Sequence, residues 1–191
     1  IVKSLYHTGQ VPWKDLMVSG FVLAKKGEKI SKSKNNANSS PTELLEKYGA
    51  DMIRYWTASN KLGTDTWFDE KDIEGSKRFI NKLWNASRFV LMKLEDFDVK
   101  NKTFDNLNNA DKWILTKLNE TIKVVTKYMD KYEFNNAGNK LYSFIWDDFC
   151  DWYIELSKHN MNNTTKSVLL KVLTDILKLL HPFMPFVTEE I

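Results

Sequence analysis

Apolar residues recur at helical spacing through most of the sequence after residue 70, and this periodicity limits the chain to a mainly α fold. In three stripes, each residue lies three, four or seven positions from another member of its stripe. They are Ile73, Ile80, Leu83, Trp84, Val90, Leu91 and Leu94; then Ile114, Leu118, Ile122, Val125 and Met129; then Leu169, Val172, Leu173, Ile176 and Leu180. Such spacing is typical of amphipathic α-helices. It predicts helices over residues 70–94, 111–132 and 165–180, packed as a bundle.

A fourth helix is predicted over residues 136–159, and it is apolar on two sides. One side carries Leu141, Ile145, Phe149, Trp152 and Leu156, and the second carries Tyr142, Trp146, Cys150 and Tyr153. A helix with two apolar sides is expected in the middle of its bundle.

Shorter elements precede the bundle. The apolar run Leu16–Leu23 predicts a buried strand. Ser40, Pro41 and Glu43 form a capping box with proline at the first helical position, and Gly49 is a stop signal, so a helix is predicted over 41–48. A second helix is expected over 51–59 and a brief strand within 64–68. Mixed short elements of this kind indicate a small α+β region.

Lysines alternate with hydroxyl residues in Lys29-Ile30-Ser31-Lys32-Ser33, directly after the predicted strand. Ammonium, hydroxyl and backbone donors in one loop suit a phosphate group. Ligands of open α/β sheets bind beyond the carboxyl ends of the strands, which is where this loop falls. A solvated connection, a localisation signal and a phosphorylation site are alternatives for such a composition.

The net charge of +3 is unevenly distributed. Residues 1–40 contain seven lysines against two carboxylates, a balance of +5, whereas residues 41–191 contain 21 basic and 23 acidic groups, a balance of −2. Positive charge near the loop would attract a polyanion. Lys71, Arg78 and Lys82 share one face of the helix over 70–94, which is either a solvated stripe or a contact with RNA phosphates.

Several kinds of site are not expected. Cys150 is the single cysteine of the sequence, so no internal disulfide can form and a reducing cytoplasm is the default compartment. The acidic residues Asp147, Asp148, Asp151 and Glu155 lack histidines at ligand spacing, and we expect no metal site there. No apolar run is long enough to span a membrane.

The loop resembles the Lys-Met-Ser-Lys-Ser signature of class I aminoacyl-tRNA synthetases, with Ile30 in place of methionine and Asn35 where glycine is usual. Residues 47–54 resemble the helix pair after this signature. Residues 68–71 and 81–89 resemble the valyl members, since isoleucyl members carry a different pattern at 83–86. Residues 111–115, 151–155 and 181–186 match valyl segments in the same order.

The resemblance implies the end of a Rossmann-type catalytic domain with the signature loop at 1–40, a stem-contact region with a connecting helix at 41–104, and an anticodon-binding helical bundle at 105–191. It implies a cytoplasmic ligase that activates valine with ATP and Mg²⁺ and attaches it to valine tRNA. Lys32 and Lys29 would be catalytic, and all five residues 29–33 would bind ATP. Lys71, Arg78 and Lys82 are candidate tRNA contacts.

The family's His-x-Gly-His element is missing, because His7, His159 and His181 cannot form it. We therefore expect a piece of a longer enzyme that is inactive alone, with the valine pocket and the editing domain outside it. A fragment of an isoleucyl enzyme and an autonomous tRNA-binding module are the alternatives.

Overall fold

A computed structural model describes residues 1–25, 28–31 and 40–191 of the chain. They fall in two compact units. The sheet unit comprises Ile1–Asn36 and Leu62–Phe68, and the helical unit comprises Ala37–Lys61 and Asp69–Ile191. The sheet unit thus takes a segment from beyond residue 60. The division into domains at residues 40 and 104 stays a prediction.

The described residues form helices and three short strands, in the following order. They are α1 (Val2–Thr8), β1 (Val22–Lys25), β2 (Glu28–Lys29), α2 (Pro41–Tyr48), α3 (Ala50–Ser59), β3 (Thr66–Trp67), α4 (Glu70–Lys93), a 3₁₀ turn (Val99–Asn101), α5 (Asn109–Asp130), α6 (Phe134–Ser143), a π-helix (Phe144–Tyr153), α7 (Ile154–Ser157), α8 (Asn163–Leu180) and α9 (Pro185–Glu190). The mainly α fold class is confirmed.

The predicted strand Leu16–Leu23 is wrong over most of its length, because β1 begins at Val22. Leu16 and Val18 are 66% and 64% exposed. Strand β1 lies between its two neighbours, antiparallel to β2 with Leu23 opposite Lys29, and parallel to β3. An apolar run becomes a strand only where another strand meets its N–H and C=O groups. Within the described residues, this pairing begins at Val22.

Capping groups fix the ends of the helices in the helical unit. Ser40 Oγ accepts from the backbone N–H of Glu43 at 3.2 Å, and a carboxylate oxygen of Glu43 accepts from the N–H of Ser40 at 2.6 Å. Gly49 follows α2 with φ of +78°, a conformation that side chains disfavour. The predicted helix over 41–48 is confirmed at both ends.

Helices α4, α5 and α8 contribute much of the core of the helical unit. Every residue of the predicted stripe on α8 is buried. On α4 the prediction is wrong at Trp84 and Leu91, which are 44% and 48% exposed. Each lies one position past a buried residue, Leu83 or Val90, and so on the outer edge of the stripe.

The predicted helix over 136–159 is wound in two ways, as α6 and then as the π-helix. Each turn of a π-helix takes up more residues than an α-turn, because its hydrogen bonds join residues five apart. The buried side of the helix therefore continues from Phe149 to Tyr153, and neither side chain has any exposed surface. Trp152 and Leu156, predicted on the apolar side, are 62% and 43% exposed. An expectation based on α-helical periodicity fails here for this reason.

A buried carboxylate joins three helical segments. Asp111 of α5 is 1% exposed and accepts from the Tyr153 hydroxyl at 2.7 Å and from Thr165 Oγ1 of α8 at 3.1 Å. Burial, together with this bond to Asp111, raises the pKa of Tyr153. Buried polar groups are stable where such partners are present. The contact therefore fixes the π-helix to α5 and α8.

Candidate functional site

Lys29, a predicted catalytic and ATP-binding residue, lies at the end of β2. Its ammonium nitrogen is 3.7 Å from the centroid of the Phe21 ring, a cation–π contact. The Lys29 side chain is exposed, and the next residue, Ile30, donates its N–H to the carbonyl oxygen of Val22 at 3.1 Å. The sheet thus fixes the backbone beneath the Lys29 ammonium, which stands at the surface.

Phe21 is itself held by the segment that leads into β3. Its N–H donates to Asp65 Oδ1 at 2.8 Å, and its carbonyl accepts from the N–H of Thr66 at 2.9 Å. Gly20 permits this approach, since a Cβ atom there would lie 2.1 Å from the carbonyl oxygen of Thr64. Gly20 and Asp65 were not predicted from the sequence, because their role depends on a contact between segments 44 residues apart.

The remaining loop residues are only partly described. Ile30 and Ser31 are half-buried. Lys32 and Ser33, the other predicted ATP-binding residues, lie outside the described residues. Their predicted roles, including that of Lys32 as the principal catalytic residue, stay predictions.

In the helical unit, two of the three predicted tRNA contacts line one cavity of about 740 Å³. Lys71 and Arg78 of α4 are on its wall, and Lys82 is not. The lining residues are Lys47, Tyr48, Met52, Lys71, Glu74, Lys77 and Arg78. Residues three or four apart on a helix share a face, which explains how α4 presents four of these side chains. Lys47 and Lys77 were not predicted as contacts from the sequence.

An ion pair stands beside this cavity. The Glu70 carboxylate accepts from the Lys47 ammonium and from the Tyr48 hydroxyl. The hydrogen bond from Lys47, followed by that from Tyr48, lowers the pKa of Glu70; the bond to Glu70 raises the pKa of Lys47. The contact joins α2 to the first turn of α4.

Lys82 has a different environment from Lys71 and Arg78. Its ammonium forms an ion pair with Asp151 and lies 3.8 Å from the centroid of the Trp146 ring. Its side chain is 24% exposed, so it is engaged within the protein. Lys158 pairs with Glu155 of the same acidic stripe, so lysines partly neutralise it. No cluster of three potential metal ligands occurs among the described residues.

Two opposite charges on α3 hold the start of α9 and the turn that precedes it. Asp51 accepts from the backbone N–H of Val187 at 2.6 Å and of Phe186 at 3.3 Å. Arg54 donates to the carbonyl oxygens of Pro182 at 2.8 Å and Phe183 at 3.3 Å. Segments 47–54 and 181–186, recognised separately in the sequence, are therefore in direct contact.

Across the described parts of the chain, no helix is both long and apolar enough to cross a bilayer.

Two family models match the chain in sequence. The model described as the anticodon-binding domain of tRNA ligase matches residues 111–191. The model described as tRNA synthetases class I (I, L, M and V) matches residues 1–69.

Relatives and a solved structure agree with these matches. The valine--tRNA ligases of Bacillus cereus (strain ATCC 10987 / NRS 248) and Listeria monocytogenes serovar 1/2a are each 48% identical over 200 residues, covering all of this chain. The chain spans 23% and 22% of their lengths. A LeuRS-tRNA-LeuAMS complex from Agrobacterium radiobacter K84 has a similar fold, with a TM-score of 0.72 at 21% identity over 90% of this chain and 21% of that one.

Proposed function

The chain belongs to the class I tRNA synthetases of the I, L, M and V group, and we propose that it is part of a valine--tRNA ligase. The 48% identity with such ligases over its whole length carries the proposal. In the complete enzyme, the valine carboxylate attacks the α-phosphate of ATP, which enters as its Mg²⁺ complex. Valyl-adenylate forms and pyrophosphate leaves, and valine is then esterified to valine tRNA in the cytoplasm.

The signature loop would stabilise the leaving group. Negative charge moves onto pyrophosphate as the bond to the α-phosphate breaks, and ammonium groups placed beforehand lower the energy of that state. Lys29 and Lys32 supply these charges, with Ile30, Ser31 and Ser33 completing the ATP-binding loop. The exposed position of Lys29, with its ammonium above the Phe21 ring, supports the proposal.

The helical part would bind tRNA. The match of residues 111–191 to an anticodon-binding domain supports assigning the bundle over 105–191 to the anticodon arm. Residues 41–104 would meet the inner side of the tRNA, with Lys71 and Arg78 close to phosphates. Both side chains are exposed on one cavity wall, whereas Lys82 would have to give up its pair with Asp151.

Charging assays test the choice of amino acid. We expect the complete enzyme to charge valine tRNA with valine, and to discriminate against isoleucine and threonine. Preferential charging of isoleucine tRNA with isoleucine would instead identify an isoleucyl enzyme.

The 191-residue chain tested alone separates the enzyme fragment from the autonomous module. We expect no valine-dependent exchange of pyrophosphate into ATP, because a ligase needs its valine pocket. Salt-sensitive binding of valine tRNA by the isolated chain would favour the module.

A further inference from the structure

The cavity on α4 is lined by both cationic and apolar side chains. Lys71, Lys77 and Arg78 are exposed, and none of the three has an ion pair among the described residues. Tyr48 and Met52 are half-buried at the same cavity. The lining therefore offers both charge and an apolar surface to a ligand.

The connection between α2 and α3 is a single residue, Gly49, with φ of +78°. Tyr48 precedes it and Met52 follows it, and both side chains line the same cavity. The bond from the Tyr48 hydroxyl to Glu70 fixes the ring against α4. The Tyr48 ring is thus held in place before any ligand binds, which reduces the conformational entropy lost on binding.

We propose that this cavity holds one unstacked nucleotide of the bound tRNA, with its base against Tyr48 and Met52 and its flanking phosphates near Lys77 and Arg78. The inference rests on the proposed function and adds to it a site for a base. RNA is commonly recognised through unstacked bases placed on aromatic side chains, while phosphates are met by lysine and arginine.

Two features favour a nucleotide over a phosphate alone. A volume of about 740 Å³ is within the range of small-molecule sites, about 300 to 1,000 Å³. Glu74 also lines the cavity, where its carboxylate would repel a phosphate but accept a hydrogen bond from the amino or ring N–H group of a base.

The test removes the aromatic surface of the cavity without changing its charge. In the complete enzyme, Tyr48→Leu should weaken binding of valine tRNA by about tenfold, on the scale of losing one stacked base. The dependence of affinity on salt should not change, since every cation remains. Trp84→Leu, a control that removes an exposed ring of α4 outside the cavity, should bind as the wild type does.

Chemical probing of the tRNA bases provides the second measurement. One base should be protected in the wild-type complex and reactive in the Tyr48→Leu complex. Equal affinity and an identical reactivity pattern in both complexes would overturn the inference. Should Tyr48→Leu fail to fold, Met52→Ala removes another part of the same apolar surface.

A further outcome separates this inference from the proposed function. Failure of the wild-type enzyme to bind or charge valine tRNA would refute the proposed function itself, independently of the cavity variants.

Discussion

The ammonium group of Lys29 lies 3.7 Å from the centroid of the Phe21 ring. The Phe21 backbone is hydrogen-bonded to Asp65 and Thr66, so this contact positions the proposed catalytic ammonium of Lys29 against the sheet. A cation–π contact at an exposed site contributes about 0.5–1 kcal/mol. We therefore expect Phe21→Leu in the complete enzyme to slow valine-dependent pyrophosphate exchange about two- to fivefold. Phe21→Tyr, which keeps a ring, should retain the wild-type rate. Equal rates for all three would show that the ring does not position Lys29.

Lys32 is the stronger test of the leaving-group mechanism. From its place in the signature, Lys32→Ala in the complete enzyme should slow valyl-adenylate formation by about 10² to 10³, the scale for one preorganised donor. Affinity for tRNA should remain as in the wild type. Lys34→Ala, which removes a neighbouring lysine outside the five-residue signature, provides the matched control. Unchanged adenylate formation in Lys32→Ala would exclude this role.

A substitution at Gly20 tests whether the sheet depends on the close approach of the Gly20 backbone to that of Thr64. In Gly20→Ala the new Cβ would lie 2.1 Å from the Thr64 carbonyl oxygen, so the backbone must shift at a cost of about 1–3 kcal/mol. The amides of Thr66 and Phe68, which donate to Phe21 and Leu23, should lose protection from hydrogen exchange.

The matched control is another glycine with space around it. Gly75 lies inside α4, and nothing lies within 4 Å of a Cβ built there. Gly75→Ala should stabilise the helical unit by about 0.5–1 kcal/mol. Wild-type protection at Thr66 and Phe68 in Gly20→Ala would contradict the predicted clash.

Asp51 tests the contact between α3 and the start of α9. Its carboxylate accepts from two backbone N–H groups that α9 cannot satisfy itself. Asp51→Ala should lower the free energy of unfolding by about 1–2 kcal/mol, as for loss of a helix cap. Urea unfolding followed by far-UV circular dichroism measures this. The exposed Asp130→Ala should change it by less than about 0.5 kcal/mol. Equal losses in both variants would show that the cap contributes nothing specific.

Local signals in the sequence identified the helices well, because they act over a few residues. Ser40, Glu43 and Gly49 define both ends of α2, and the stripe on α8 is buried as expected. Strand pairing and contacts between helices could not be predicted, because they depend on residues far apart in the sequence. Whether Leu16 joins a strand depends on which segments pair beside it, and Asp51 meets Val187 across 136 residues.

The candidate site shows the same division. The signature loop and the basic residues Lys71 and Arg78 could be identified as sequence patterns. The cavity that Lys71 and Arg78 line together with Tyr48 forms only when α2, α3 and α4 pack together. The outward position of Trp152 follows from π-helical winding, which a search for α-helical periodicity does not detect.

Cys150 on the π-helix predicts a pH dependence of stability. Burial raises the pKa of its thiol from 9.0 to about 12, opposed in part by the nearby charge of Lys82. The folded state therefore holds this proton more tightly than the unfolded state. This contribution is complete below pH 9 and declines as the pH rises towards 12, by at most about 1.4 kcal/mol per pH unit. Urea unfolding at a series of pH values should show a shallower alkaline decline in Cys150→Ala than in the wild type.

Cys150→Ser separates titration of the thiol from its packing. Neither serine nor alanine titrates in this range, so both variants should show the same shallower decline even though their stabilities at pH 7 differ. Other groups that lose protons above pH 9 are shared by all three proteins and cancel in the comparison. Parallel curves for the wild type and both variants between pH 9 and 12 would mean that the thiol of the folded chain titrates as it does in the unfolded chain, and that the π-helix does not shield it from water.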